Sequence, residues 1–380
     1  MKYTYIATST FGLEAVVKRE VEKIGGESIK VENGRVEFQG DLSLIAKGNL
    51  WFRVADRVLV KLGEFRAESF ESLFNQTFEL PWEEWIEEDG NFIVEGKSVK
   101  SKLFSIKDCQ SITEKAVIKK LQTKYQKDWF EKSGPRYKIQ VSLLNDIATL
   151  TLDTSGTGLH KRGYRENAVE APIKETLAAA MIELSYWNKD KILIDPFCGS
   201  GTIPIEAAMI GRNMAPGLSR KFDAEKWQVI PSDIWKNERA EALKAIDQDA
   251  DIRICGYDID KNAIQIAMEN AFNAGVDDCI EFKTKKFGEM ALKEDYGVII
   301  CNPPYGERLG ELKEVKKLYE LMGKVFSQST TWSKYIITSF EEFEKYYGKK
   351  ADRKRKLFNG KLKVEYYQYY GLKPKKKTEA

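Results

Sequence analysis

Three short segments of the chain carry groups that could act together on a small planar molecule. The sharpest is Asn302-Pro303-Pro304-Tyr305, which follows the apolar run GVIIC. Two prolines fix the backbone there, leaving the Asn302 amide and the Pro303 carbonyl as a rigid pair of acceptors. Such a pair can hold an exocyclic amine by both hydrogens while Tyr305 stacks on the attached ring. A purely structural Pro-Pro turn is the plainer explanation, and the position directly after a strand weighs against it.

The second segment is DPFCGSGT, where an apolar strand ends at Asp195 and a helix opens at Thr202. Gly199 and Gly201 let the backbone turn sharply and approach a ligand, and the carboxyl end of a strand is where ligands sit in open α/β sheets. It is not the dinucleotide fingerprint, because Pro204 occupies the third glycine's place, and it lacks the lysine of a nucleotide P-loop. A tight structural turn would need the same glycines. The third segment, CGYDIDKNAIQIA, ends a strand at Asp258, whose carboxylate could accept both hydroxyl hydrogens of a ribose. Asp260 reads as a helix N-cap.

Composition narrows the chemistry. The 380 residues include one histidine, His160, so multi-histidine metal sites are excluded and a histidine-based hydrolase is disfavoured. Cys109, Cys198, Cys255, Cys279 and Cys301 form no CxxC pair, which points to a reducing cytoplasm rather than a disulfide framework or zinc ribbon. No signal-peptide core or membrane-length apolar run is present, so a cytoplasmic, metal-free protein without a membrane partner is expected. The formal charge of +3 conceals an uneven distribution. Lys97 to Lys138 holds 12 Lys/Arg against four acids, and Lys345 to Ala380 holds 13 against three, so the remainder is acidic by 15. Two basic segments on an acidic body suit a polyanion, although solvated helix faces would give the same count.

The elements that must position these groups follow from periodicity. YTYIATS, FGLEAVVKREVEKIGG, the hairpin SIKVENGRVEFQG and LSLIAKGNLWFRVA make a small α+β unit over residues 1–65. Residues 66–154 read as a second α+β unit, with a basic amphipathic helix in SITEKAVIKKLQTKYQ and two strands around Asn145-Asp146. Residues 155–170 have no period and read as a linker or functional loop. From 171 to 380, apolar strands KILID, RICGYD, GVIICN and KYIITS alternate with helices, and RKLFNG with KLKVEYYQYYG closes a hairpin, which predicts a parallel α/β domain. The stretch from Gly211 to Asp249 is an insertion or elaborated crossover.

Together the three motifs resemble class I S-adenosylmethionine-dependent amino-methyltransferases. With SGTGLHKRGYR, EAPIKETLAAAM, NMAPG, NPPYGERL and RKRKLFNGKLKVEYYQYYG, the chain resembles the THUMP-domain RNA guanine-N2 methyltransferases of the bacterial 23S rRNA type. The resemblance covers essentially the whole length. It implies a ferredoxin-like domain, a THUMP RNA-binding domain and a Rossmann-like catalytic domain with a seven-stranded, mostly parallel sheet and a reversed final hairpin. It assigns Asp195, Pro196, Phe197, Gly199, Ser200, Gly201, Thr202, Asp258, Ile259 and Asn302 to S-adenosylmethionine, and Asn302, Pro303, Pro304 and Tyr305 to the amine. Lys174, Glu175 and Thr176 fall beside the methionine end. Lys286 stands where relatives commonly carry an acidic residue for adenine, leaving backbone N–H groups or Phe287 for that contact.

RNA, as 23S rRNA or a ribosomal assembly particle, would be met by Lys115, Lys119, Lys120, Lys124, His160, Lys161, Arg162 and Arg165. The implied chemistry is direct methyl transfer to guanine N2, which requires no imidazole. NPPY also serves DNA adenine-N6 and protein glutamine-N5 methyltransferases, and a non-catalytic RNA-binding assembly factor is the alternative of a different class.

Overall fold

A computed structural model describes residues 1–165, 173–290, 292, 294–306 and 312–373. Residues 166–170 of the expected linker, Glu307 to Leu309 of the extended motif and the basic tail from 374 lie outside the described residues. The chain forms two compact units. One comprises Met1–Ser9, Val17–Leu159 and Gly217–Ala242, the other Thr10–Val16, His160–Pro216 and Leu243–Ala380.

The first unit is organised by one sheet. Its elements run β1 (Tyr3–Thr8), α1 (Glu14–Lys23), β2 (Glu27–Glu32), β3 (Arg35–Gly40), α2 (Ser43–Trp51), β4 (Arg57–Arg66), α3 (Phe70–Phe78), β5 (Asn91–Val99), α4 (Ile106–Tyr125), β6 (Arg136–Leu144) and β7 (Ile147–Asp153). The strands lie in the order β2-β3-β1-β4-β7-β6-β5. β4 has no counterpart among the strands expected from periodicity, yet it pairs with β1 on one side and β7 on the other. The expected boundary at residue 65 falls inside it. Asn145 and Asp146 take φ of 50° and 64°, both left-handed, as a two-residue hairpin between β6 and β7 requires. β5 and β6 are parallel, so a crossover must join them, and α4 supplies it. Cys109, Thr113, Ala116, Val117 and Leu121 of α4 are buried at helical spacing, which turns the opposite face outward. Part of the insertion also belongs here: the Trp227 ring stacks on Tyr137 at 4.7 Å.

The second unit contains α5 (Glu175–Glu183), β8 (Leu193–Asp195) and α6 (Thr202–Gly211); the next helix in sequence, α7 (Ser232–Lys244), belongs to the first unit as far as Ala242. β9 (Ile254–Asp258), α8 (Lys261–Ala274), β10 (Ile280–Thr284), β11 (Val298–Cys301), α9 (Leu312–Ser327), β12 (Ser333–Thr338), α10 (Phe343–Tyr347), β13 (Arg353–Asn359) and β14 (Leu362–Tyr369) follow. The order is β10-β9-β8-β11-β12-β14-β13, with the first five strands parallel and β14 antiparallel to both of its neighbours. This is the expected mostly parallel sheet with a reversed final hairpin. Every residue of β8, β11 and β12 is buried, as strands covered by helices on both faces must be. Tyr319, Met322 and Phe326 of α9 join Trp332, Ile336 and Phe343 in one apolar cluster against the sheet.

Candidate active site

Strand order reverses at β8, since β9 and β10 lie on one side of it and β11 and β12 on the other. A crevice beyond the carboxyl ends of the strands is expected at such a reversal. Register places Asp195 beside Gly256 and Ile194 beside Ile299. The three motifs follow β8, β9 and β11 and are thereby brought to one edge of the sheet.

The loop after β8 is held by its own backbone and by the strand beside it. Asp195 is 1% exposed and its Oδ1 accepts the Phe197 N–H at 3.1 Å. Burial pushes the Asp195 carboxyl well above the ordinary carboxylate range, against the lowering effect of that N–H. Gly199 and Gly201 have φ of 52° and 83°, a conformation open to glycine. A Cβ at Gly201 would also come within 3.0 Å of Ala267 on α8. The Gly199 N–H donates to Asp258 Oδ2 at 3.0 Å, and Asp258 Oδ1 accepts the Asp260 N–H at 3.0 Å. Two of the roughly four acceptor positions of that half-buried carboxylate are thus used. Ile259 beside it is 68% exposed, while Pro196, Ser200 and Thr202 are buried. Asp260 caps α8 through the Asn262 N–H at 2.8 Å, as its position in the sequence implies. Phe197 stacks on Phe287 at 5.0 Å, and Lys286 is exposed.

After β11, the Tyr305 hydroxyl donates to Asn302 Oδ1 at 2.5 Å, and Tyr319 donates to the Pro304 carbonyl at 2.7 Å. Tyr305 therefore orients the amide as well as presenting a ring. The Pro304 carbonyl is committed to the scaffold, whereas the Pro303 carbonyl has no partner among the described residues. Neither Tyr319 nor Asn270, whose side-chain amide donates to the Ser200 carbonyl at 3.0 Å, stood out in the sequence.

Beneath the glycine turn lies a polar network that the sequence reading placed elsewhere. Arg162 and Arg165, expected to face RNA, are turned inward. Arg162 is 2% exposed and its guanidinium meets Glu206 at 3.2 Å. Tyr164 donates to the same carboxylate at 3.2 Å. Arg165 reaches Thr202 Oγ1 at 2.6 Å, the Ile173 carbonyl at 3.1 Å and Glu175 at 3.6 Å. A buried guanidinium requires a carboxylate or carbonyl partner, and α5 and α6 supply these. Burial raises the Glu175 carboxyl, and Arg165 partly offsets that rise. One sequence signal existed: Glu206 sits within the apolar run TIPIEAAM, where an ionised side chain needs a partner. Thr176 is buried, Lys174 and His160 are half-buried, and Lys161 is exposed.

In the first unit, Lys115, Lys119 and Lys124 are exposed, and no carboxylate lies within 4 Å of them among the described residues. Lys120 is different, lying 3.6 Å from Glu83 and 5.4 Å from the centre of the Phe78 ring. No group of three or more His, Cys, Asp or Glu able to hold a metal occurs among the described residues, and no described helix is long and apolar enough to cross a membrane.

Residues 4–59 match the RlmL ferredoxin-like domain, 67–153 the THUMP domain and 162–368 the RMKL-like methyltransferase domain. A Bacillus subtilis protein named "Putative RNA methyltransferase YpsC" is 50% identical, with 100% of this chain and 99% of that protein covered. A Syntrophotalea carbinolica protein named ribosomal RNA large subunit methyltransferase K/L is 33% identical across 94% of this chain, which spans 52% of that relative. The crystal structure of a Listeria monocytogenes protein described as a predicted N6-adenine-specific DNA methylase superposes with a TM-score of 0.94 at 48% identity, covering 98% of this chain and 97% of the other. SMU.472, described as a putative methyltransferase complexed with SAH, gives 0.93 at 45% identity, covering 98% and 99%.

Proposed function

The chain belongs to the family of the RMKL-like methyltransferase domain, and from that premise we propose that it transfers a methyl group from S-adenosylmethionine to the exocyclic N2 of a guanosine in structured RNA, with 23S rRNA as the substrate. The observation that carries this reading is the Asn302 amide held by Tyr305 at the end of β11, beside the glycine turn after β8. The relative solved with SAH and the K/L relatives support the donor and the RNA respectively.

The residues present fit the donor. Gly199 and Gly201 turn the backbone where a side chain would be strained, and Asp258 keeps acceptor capacity for ribose hydroxyls beside them. The Phe197–Phe287 pair offers an aromatic surface for adenine in place of the missing acidic residue. Bound there, S-adenosylmethionine supplies a methyl group already activated by its sulfonium. Asn302 Oδ1, with its second lone pair, and the Pro303 carbonyl accept the two hydrogens of the target amine. That pairing favours a pyramidal nitrogen, whose lone pair then points out of the ring plane, and the bonds strengthen as the transition state forms. Tyr305 fixes the amide and limits the motion of the ring, so part of the orientational cost is met before reaction. A target guanine inside a helix must first leave its stack, at a cost of a few kcal/mol that contacts between the protein's basic side chains and the RNA backbone help to offset.

Asn302→Ala should lower single-turnover methyl transfer by about 100-fold or more, the scale set by one hydrogen bond made in the transition state, while donor affinity changes little. Unchanged turnover would remove Asn302 from the amine site. Methylation of adenine N6 in DNA is the second reading, favoured by the description of the Listeria relative. Mass spectrometry of nucleosides from RNA and DNA incubated with the enzyme and labelled donor separates the two by product.

A further inference from the structure

Two aromatic side chains stand in solvent at opposite ends of α4. Phe104, just before the helix, is 82% exposed, and Trp129, just after it, is 79% exposed. No aromatic side chain among the described residues is more exposed than these two. Neither ring has an aromatic or cation–π contact among the described residues. Other rings in the same unit behave differently: Trp82 and Trp85 are buried to within 3%. The lysines around them form a second, independent feature. Among the described residues, Lys100, Lys107, Lys115, Lys119 and Lys124 are exposed without a carboxylate within 4 Å; within residues 97–138 the exposed carboxylates outside the ion pairs of the described residues are Asp108, Asp128 and Glu131, and Glu71, Glu79, Glu84 and Asp89 are exposed on the segment that packs beside α4. Lys115 and Lys119 lie on the helix face opposite the buried Thr113 and Val117, and Lys107 lies on its flank. The helix between them has 20 residues and is about 30 Å long.

We propose that Phe104 and Trp129 are stacking sites for unpaired RNA bases, with the outward lysines of α4 holding the intervening sugar-phosphate backbone. The inference rests on the RNA reading given under Proposed function and adds the form of RNA that is bound. Cationic side chains alone would serve a duplex equally well. Exposed rings flanking them favour bases that present an open face, because stacking on a ring requires the base to be unpaired or terminal. Isolated rings between charges are also a poor basis for a protein interface, which needs a contiguous apolar centre. Half-exposed Val99 and Ile106 flank Phe104 in sequence, so docking of a second copy is the competing outcome at that end.

The chain carries its own probe. Of its eight tryptophans, Trp129 is exposed, Trp51 is half-buried and the other six are buried, so the emission lost in Trp129→Phe reports on that ring. The full chain is titrated with an unstructured RNA oligonucleotide and with a blunt RNA duplex of equal length. Unstructured RNA should quench the emission in wild type and not in Trp129→Phe. Phe104→Ala and Trp129→Ala should each weaken binding of the unstructured RNA about fivefold or more, with melting temperature and duplex affinity unchanged. Affinities within twofold of wild type, or equal losses on both RNAs, overturn the proposal. So does loss of self-association in Phe104→Ala, seen by sedimentation, with RNA affinity intact. Should wild type bind neither RNA, the RNA reading itself falls. Should it bind while only lysine variants weaken it, this inference alone falls.

Discussion

The run from His160 to Arg165 and the outward face of α4 are both basic, and they place their charges in opposite ways. In the first, Arg162 and Arg165 lie beneath the glycine turn on Glu206, Glu175 and Thr202. In the second, Lys115 and Lys119 stand in water without a counter-charge. Residue type does not separate the two; periodicity does. The lysines recur four apart, opposite an apolar stripe that must face the sheet, so packing of that stripe drives them outward. GLHKRGYR has no period, and nothing local decides where its charges point. They go where buried carboxylates wait for them, Glu175 on the next helix and Glu206 44 residues beyond Arg162.

The largest effect should come from breaking the more deeply buried pair. Arg162→Ala leaves Glu206 fully buried with the Tyr164 hydroxyl as its one remaining donor of those described, and should destabilise the chain by about 3–5 kcal/mol, read from denaturant midpoints. Pairing Arg162→Met with Glu206→Leu should recover most of that loss, because the penalty comes from an uncompensated charge. A mild loss for the single variant would return Arg162 to the surface.

Arg165 tests whether the inward cluster also serves the site. Arg165→Ala should raise the donor KM about tenfold with a smaller change in kcat, and Arg165→Lys should restore part of it, since one donor still reaches Thr202. It also removes the charge that opposes the burial-driven rise of Glu175. A carboxyl whose folded-state value is raised costs stability as it ionises. The deficit of Arg165→Ala should therefore be smallest below about pH 4, grow as pH rises, and level off above the new folded value. A pH-independent difference in melting temperature would detach Glu175 from Arg165.

The legible parts of the molecule were those specified locally. Asn145-Asp146, the Asp260 cap and the fully buried strands follow from turn chemistry and apolar runs. The three motifs could be assigned to one edge because each closes a strand. β4 was illegible because VLVKLGEFR alternates poorly, and its role as the strand joining β1 to β7 depends on partners far along the chain. The bond from Tyr305 to Asn302 and the anchor from Tyr319 to Pro304 were likewise illegible, since spacing says nothing of where a hydroxyl points.

The smallest effects fall within α4, where lysines that look alike in sequence should divide. Lys115→Gln with Lys119→Gln should weaken RNA binding and reduce the slope of log affinity against log salt by about 2, one for each phosphate no longer neutralised. Stability should hardly move, because neither ammonium is paired. Lys120→Gln should do the reverse. Its ammonium faces Glu83 and the Phe78 ring, so the salt slope should stay at the wild-type value while stability falls by at most about 1 kcal/mol. A salt slope altered by Lys120→Gln as much as by Lys115→Gln would mean that RNA draws Lys120 away from Glu83. The distinction between paired and unpaired lysines would then hold for the free protein alone.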